Sequence, residues 1–411
     1  MNGIKNGLIK KVLDKTHCVE FACMIILILQ ALFQAPYVPP YWNSIILTFS
    51  YKYGFIQRGF LGSVIAVLSK ILPFGPGQVL RMFQYGTNVI FFITIVVIAF
   101  WSIRKWKDNR LFLIISLLFI MGFGFSTWFS STLFGHSDIW LIVLSIVALY
   151  AIWNDIYEVA VVISVICVLI HQVYFFMYFN VLLLAFALKF VITEQKRKRI
   201  FMNFTIMIIS CVFLFAYLQF FAQVNPGIDY DTVRNHSIEL TGRSDIDNPE
   251  FEAAVKNYLF HEESPYPFTY GIQKRGKYAL IEVLFMLPFW VELAVYWRKI
   301  ILHTEDKMKK GLYLLIPFGI ITMIPCFVMH CDYGRWFYAV YFYEVVAIWL
   351  VNIVGDEGVK ISNREMISRI RKNIVYYLAL SIYWGWLGGL EKNMVRSFWK
   401  ELNAIIVGMI K

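Results

Sequence analysis

The chain has 411 residues, of which 59% are apolar and only 16% charged, a balance that excludes a set of soluble domains. With its positive mean hydropathy it reads as an all-α polytopic membrane protein. Its 38 Lys and Arg against 27 Asp and Glu give a net charge of +11, so the location of those charges decides what they are for. The six cysteines form no disulfide framework, because Cys18, Cys23, Cys167, Cys211 and Cys326 lie in or against apolar runs; Cys331 alone is placed to meet water.

The basic start, MNGIKNGLIKKVLDK, leads into an apolar run from Cys18 to about Ala35. No small-x-small cleavage site follows, so this run reads as a retained first span. At roughly 20 residues per crossing, further spans are expected near 84–103, 111–129, 139–153, 157–171, 175–192, 200–222, 278–297, 311–329, 336–354 and 374–390, about eleven in all. Between the first and second lies 36–83, read as a re-entrant or interfacial outer segment. A large extracytoplasmic loop is expected at 223–277, and the tail from Glu391 is left unassigned. The whole chain, 1–411, is one integral membrane domain.

With the N-terminus in the cytoplasm, this alternation puts most of the Lys and Arg in the short inner segments, including RKWK at Arg104 and KRKR at Lys196. The basic excess therefore orients the chain and meets anionic membrane lipids, and needs no nucleic acid.

Three outer features carry polar chemistry. In the first, YKYGFIQRGFLG, small residues around Arg58 let backbone and guanidinium approach a phosphate together; the same pattern serves a snorkelling interfacial helix. The second is a set of span ends: His136-Ser-Asp138, His171-Gln172, and His330-Cys-Asp332-Tyr-Gly-Arg335-Trp336. Histidine can relay protons, aspartate can act as a base, and Arg335, three residues after Asp332, faces the same way on a helical turn. The two His-x-Asp pairs leave a divalent cation open, although no metal or cofactor motif is present. Read as structure, the same residues are satisfied span ends and an ion pair. The third feature, the large loop, carries Arg234, His236, Glu239, Arg243, and then His261, Glu262 and Tyr266 in HEESPYPFTYG, with Tyr258 and Phe260 before it. Flat aromatic faces beside carboxylates suit carbohydrate.

Within the spans, Glu20, Glu282, Glu292 and Glu344 are the expensive residues; Glu344 lies about 12 Å into its span. Such acids are what a proton-coupled transporter needs, or they are bundle glue.

The order of YGFIQRGFLG, GHSD, HQVYFF and DYGRWF resembles bacterial surface-polysaccharide membrane proteins, the Wzy-type repeat-unit polymerases and related GT-C glycosyltransferases. The resemblance implies an enzyme of the bacterial cytoplasmic membrane acting at its outer face on polyprenyl-diphosphate-linked glycan, with a flippase and a chain-length regulator as partners. It implies that Arg58, Arg234, Arg243 and Arg335 handle diphosphate, that Asp332, Asp138 and His330 do the acid–base work, and that His171, His261, Glu262 and Tyr266 meet the glycan. The chain departs from the GT-C pattern in having no Asp or Glu between Pro36 and Phe83, where that class carries its first-loop catalytic acid. That moves the base to Asp138 or Asp332. Two other classes are consistent with the residues: a proton-coupled transporter or lipid-glycan flippase using the intramembrane glutamates, and a membrane acyltransferase using His171.

The topology is directly testable. Membrane-impermeant thiol reagent applied to cells is expected to label single cysteines placed within 223–277 and to spare those placed at 196–199; the reverse pattern would put the polar features on the cytoplasmic side.

Overall fold

The computed structural model describes residues 39–105, 128, 133–243, 249–260, 269, 272–273, 276, 280, 283–284, 287–329, 332–373, 375–377 and 379. The expected spans near 18–35, 111–129 and 374–390 lie wholly or largely outside the described residues, as do Glu20, Glu282, Cys18, Cys23 and Cys331. Every regular element among the described residues is helical. In chain order these are α1 (Tyr41–Ile46), α2 (Gly59–Ile71), α3 (Pro76–Lys105), α4 (Asp138–Trp153), α5 (Tyr157–Ile170), α6 (Tyr174–Met177), α7 (Phe179–Ile192), α8 (Arg197–Phe220), α9 (Tyr230–Thr241), α10 (Pro249–Phe260), α11 (Leu287–His303), α12 (Lys307–Leu315), α13 (Ile324–Met329), α14 (Tyr333–Val354) and α15 (Glu357–Lys372).

Among the described residues four helical stretches are long and apolar enough to cross a membrane: Pro76–Ile98, Glu194–Phe220, Lys307–Met329 and Tyr333–Val354. The helices at Gly59–Ile71, Asp138–Trp153, Tyr157–Ile170 and Phe179–Ile192 are apolar but shorter. At 1.5 Å per residue the last three cover only about 21–24 Å, against about 30 Å of hydrocarbon. Two boundaries differ from the sequence reading. The helix expected from residue 84 begins at Pro76, because proline at a helix start loses no needed hydrogen bond. The span expected at 278–297 is a helix over Leu287–His303, ending in Arg298, Lys299 and His303 and lying against the polar helix α15.

α14 is the centre of the bundle. Of its apolar window 83% is buried, against 22–28% for the other three long stretches, and every residue from Tyr333 to Val351 is buried. α3, α8 and α12–α13 instead turn Val89, Ile93, Ile209, Phe213, Leu314 and Phe318 outward, as lipid-facing helices do. Between α12 and α13 the chain tightens to a 3-10 helix at Ile316–Met323 around Pro317. Tyr343 Oη donates to Ile316 O at 2.8 Å, and Asn180 Nδ2 donates to Gly319 O at 3.1 Å, so carbonyls in this stretch are met by neighbouring helices.

A second, smaller core lies outside the bundle. Ile45, Phe49, Tyr53 and Ile56 pack with Val233, Phe251, Val255 and Leu259, so segments 39–57 and 224–260 form one cap. Asn225 N–H donates to Tyr53 O at 2.6 Å, and Thr48 and Ser237 share a buried hydroxyl contact of 2.7 Å. α9 starts on the Asp229 carboxylate, which accepts from Thr232 N–H at 2.8 Å, and ends at left-handed Gly242.

The bundle has two chemically different ends. α4, α5, α7, α8 and α14 alternate in direction, which places Asp138, His171 and Arg335 at one end and Lys189, KRKR at 196–199 and Asp356 at the other. At the basic end Asp155, at φ 63°, receives Lys189 Nζ at 2.8 Å, Lys196 Nζ at 2.7 Å and Tyr157 Oη at 2.6 Å. Partial burial alone would raise the Asp155 pKa, but these donors outweigh it and hold the carboxyl well below the usual range. One carboxylate thereby ties the α4–α5 turn to the α7–α8 turn. Asp155→Asn, which keeps a residue tolerant of the left-handed backbone, is expected to lower folding stability by about 2 kcal/mol because it strands the buried Lys189; thermal unfolding in detergent measures this, and an unchanged midpoint would show the node to be dispensable.

Candidate functional site

The site is built at the start of α14. Asp332 precedes the helix, its carbonyl accepting from the backbone N–H groups of Arg335 and Trp336 at 3.1 and 3.3 Å. This first turn folds Arg335 back over its neighbour, with Nη1 3.2 Å from Asp332 Oδ2. The other side of the guanidinium meets α4: Nε donates to Asp138 Oδ2 at 3.0 Å, and Nη1 lies 3.3 Å from His136 Nε2. Arg335 is 8% exposed and Asp138 1%, whereas the Asp332 side chain is 52% exposed. The pair that sequence spacing places together is thus joined by an acid from far along the chain.

GHSD is held in place by α3. Gly135 takes a left-handed φ of 72°, and a Cβ there would lie 2.8 Å from Gln84 Cβ, so the turn admits only glycine without displacement. Gly135 N–H donates to Asn88 Oδ1 at 2.7 Å, and Asn88 Nδ2 donates to Trp128 O at 2.7 Å. The tautomer of His136 follows from its neighbours. Arginine can only donate, so Nε2 accepts and Nδ1 carries the proton, 3.4 Å from Asp138 Oδ1. The opposite tautomer would let Nδ1 accept from Asp138 N–H at 3.1 Å but would aim an Nε2 proton at the guanidinium.

Several donors here remain uncommitted. Arg335 uses Nε and Nη1, while Nη2 has no hydrogen-bond partner among the described residues. His171, 6% exposed, accepts from Val173 N–H through Nδ1 at 3.2 Å, which leaves Nε2 buried and unpartnered; the Nε2 amide of Gln172 is in the same position. Arg58 stands before α2 at φ 58°, a strained setting for a side chain other than glycine, with its guanidinium 4.0 Å above the Tyr258 ring and its Nε buried without a partner. The strain is imposed by packing: a Cβ on Gly62 would lie 1.8 Å from Phe49 O, so α2 is pressed onto the cap. Arg58, Arg335 and Asp138 all lie within electrostatic reach of His171. Each buried unmet donor costs about 1–3 kcal/mol, so a cluster of them marks a place for an acceptor-rich ligand.

The other residues singled out in the sequence fall elsewhere. Arg234, on α9, reaches Asn235 Oδ1 at 3.5 Å, and Arg243 donates to Pro39 O at 3.4 Å; these described partners belong to the cap and to its start. His330, His261, Glu262 and Tyr266 lie outside the described residues. The sequence reading missed the support from Gln84, Thr87 and Asn88, and the signal was available: three buried polar residues at helical spacing in an otherwise apolar run. No family model matches the chain, and neither a curated protein nor a solved structure matches it.

The Arg335–Asp138 bridge makes a two-part prediction. Asp138→Leu alone strands a buried guanidinium and is expected to cost about 3 kcal/mol of folding stability, whereas Asp138→Leu with Arg335→Met should recover most of it. Thermal unfolding of the purified variants checks both; a double variant as unstable as the single would show that other groups at the site depend on the pair.

Proposed function

We propose that the chain is a polymerase or glycosyltransferase of about eleven spans in the bacterial cytoplasmic membrane, acting at its outer face on polyprenyl-diphosphate-linked oligosaccharide. The observation that carries this reading is the cluster of uncommitted donors, Arg335 Nη2, His171 Nε2, Gln172 Nε2 and Arg58, beside a buried aspartate. A diphosphate supplies the acceptor oxygens that such a cluster lacks, and a guanidinium fork suits them. The basic residues at the opposite end favour a cytoplasmic position for that end, which turns the site outward and leaves the N-terminus inside.

In this mechanism an acceptor hydroxyl oxygen forms a bond to the anomeric carbon as the bond from that carbon to the diphosphate oxygen breaks. The arginines stabilise charge on the departing lipid diphosphate. The hydroxyl proton passes to Asp332, whose side chain is half exposed and engaged by Arg335 through one oxygen. Asp138 is the positioning residue, since it is buried against Arg335 and His136.

Purified protein with synthetic polyprenyl-diphosphate repeat units tests the reading. Asp332→Asn is expected to abolish chain growth, and Arg335→Lys, which keeps charge but loses the fork, to slow it about 100-fold. Long glycan chains at wild-type level from both variants would reduce the pair to a helix cap.

One observation favours a second reading, a proton-coupled transporter or flippase. Glu344 is 2% exposed on the central helix, and its described hydrogen bond is from Trp297 Nε1 at 2.9 Å, with no cation paired to it among the described residues. Glu344→Gln is expected to retain most glycan synthesis; complete loss at normal protein level, with an altered pH profile, would favour transport. Glu292 does not add to that reading, because it accepts from Arg369 Nη2 and Tyr377 Oη, each at 2.8 Å.

A further inference from the structure

Between the outward-facing end of α8 and the start of α2, four aromatic rings stand in file. Phe221 and Tyr217 are 6.0 Å apart, Tyr217 and Phe55 5.6 Å, and Phe55 and Tyr51 5.2 Å, centroid to centroid. The file is open: Phe55 is 42% exposed, Tyr217 38% and Phe221 64%. Its inner end is closed by Tyr51, whose ring would lie 2.6 Å from a Cβ on Gly59, the residue after Arg58. Its outer end lies on a helix apolar enough to cross the membrane, with Phe220 73% exposed beside it. The segment carrying Phe55 is pinned to α8: Gln57 Nε2 donates to Leu218 O at 3.1 Å, and a Cβ on Gly54 would lie 2.7 Å from Gln223 O.

We infer that this file seats the isoprenoid chain of the lipid-linked substrate, with the diphosphate at Arg58, the first isoprene units over Tyr51 and Phe55, and the rest leaving past Tyr217 and Phe221 into the bilayer. The inference rests on the polyprenyl-diphosphate reading and adds the path of the chain. A ligand for these surfaces needs an anionic head joined to a long apolar tail, because a continuous apolar track runs from lipid to an uncommitted guanidinium. Rings that merely anchor the protein at the membrane interface need neither contact one another nor end on a cation. Branched hydrocarbon laid on aromatic faces gains from area removed from water and from contact with the rings.

Two probes with the same head separate tail from anion: inorganic diphosphate and farnesyl diphosphate, each titrated against the purified full-length protein in nanodiscs. Farnesyl diphosphate should bind the wild type more tightly. Phe55→Ala and Tyr217→Ala should each weaken farnesyl diphosphate about ten-fold and inorganic diphosphate by less than about two-fold. Phe201→Ala, an exposed ring at the far end of α8, should change neither. Equal weakening of both probes would make the file a support for Arg58, and no weakening of either would make it an interfacial belt; both results overturn the inference. Tight inorganic diphosphate binding with no gain from the farnesyl chain would remove the tail path and leave the proposed function standing. Failure of the wild type to bind either probe would remove both.

Discussion

The bond from Arg335 Nε to Asp138 Oδ2 fixes the relation on which the site depends, because it joins the central helix α14 to α4 at a point where neither charge can reach bulk water. A guanidinium at that depth is tolerable only if its donors are met, and Asp138, His136 and Asp332 meet three of its contacts. The remaining edge of the guanidinium faces a region that already holds unmet donors from α5 and α2. Structural need and binding capacity thus meet in one side chain: the bridge orients the fork and leaves Nη2 for something else.

Close backbone approach brings the second arginine in. Gly62 lets α2 press against the carbonyl of Phe49, Gly54 lets the chain pass the α8 terminus, and Gly77 brings the start of α3 against Leu240 O, to which a Cβ would come within 2.6 Å. These contacts bind the cap to the bundle, and Arg58 is placed by them rather than by an ion pair of its own. Its described neighbour is the face of Tyr258, which shields the cation without neutralising it. A cation left in that state remains available to an anion.

The acids and bases of the bundle divide by what surrounds them. At the basic end carboxylates tie turns and helices together: Asp155 binds two lysines, Asp356 accepts from Lys309 Nζ at 2.5 Å and Tyr313 Oη at 2.6 Å, and Glu365 pairs with Lys299. Glu292, which looks costly when its span is read alone, is satisfied by Arg369 of α15. At the site end the balance reverses, with donors in excess of described acceptors. That asymmetry distinguishes a binding region from ion-pair glue, and net charge does not reveal it.

The sequence by itself determined the class of the protein, since hydropathy is a local sum over some twenty residues and no tertiary contact changes it. It also brought Asp332 and Arg335 together, because three residues on a helical turn share a face whatever the fold. Glycines around Arg58 and polar residues ending apolar runs were legible for the same local reason. Only the tertiary structure decided that Arg335 takes Asp138 from a distant helix, that the segments around Tyr53 and Val233 share one core, and that Arg234 and Arg243 have partners in the cap and at its start. It also decided that Glu292 has a cationic partner, whereas Glu344 has none among the described residues. Pairing among buried polar groups depends on which helices lie side by side, and helix neighbours are chosen by the fit of whole surfaces, which no stretch of sequence expresses alone.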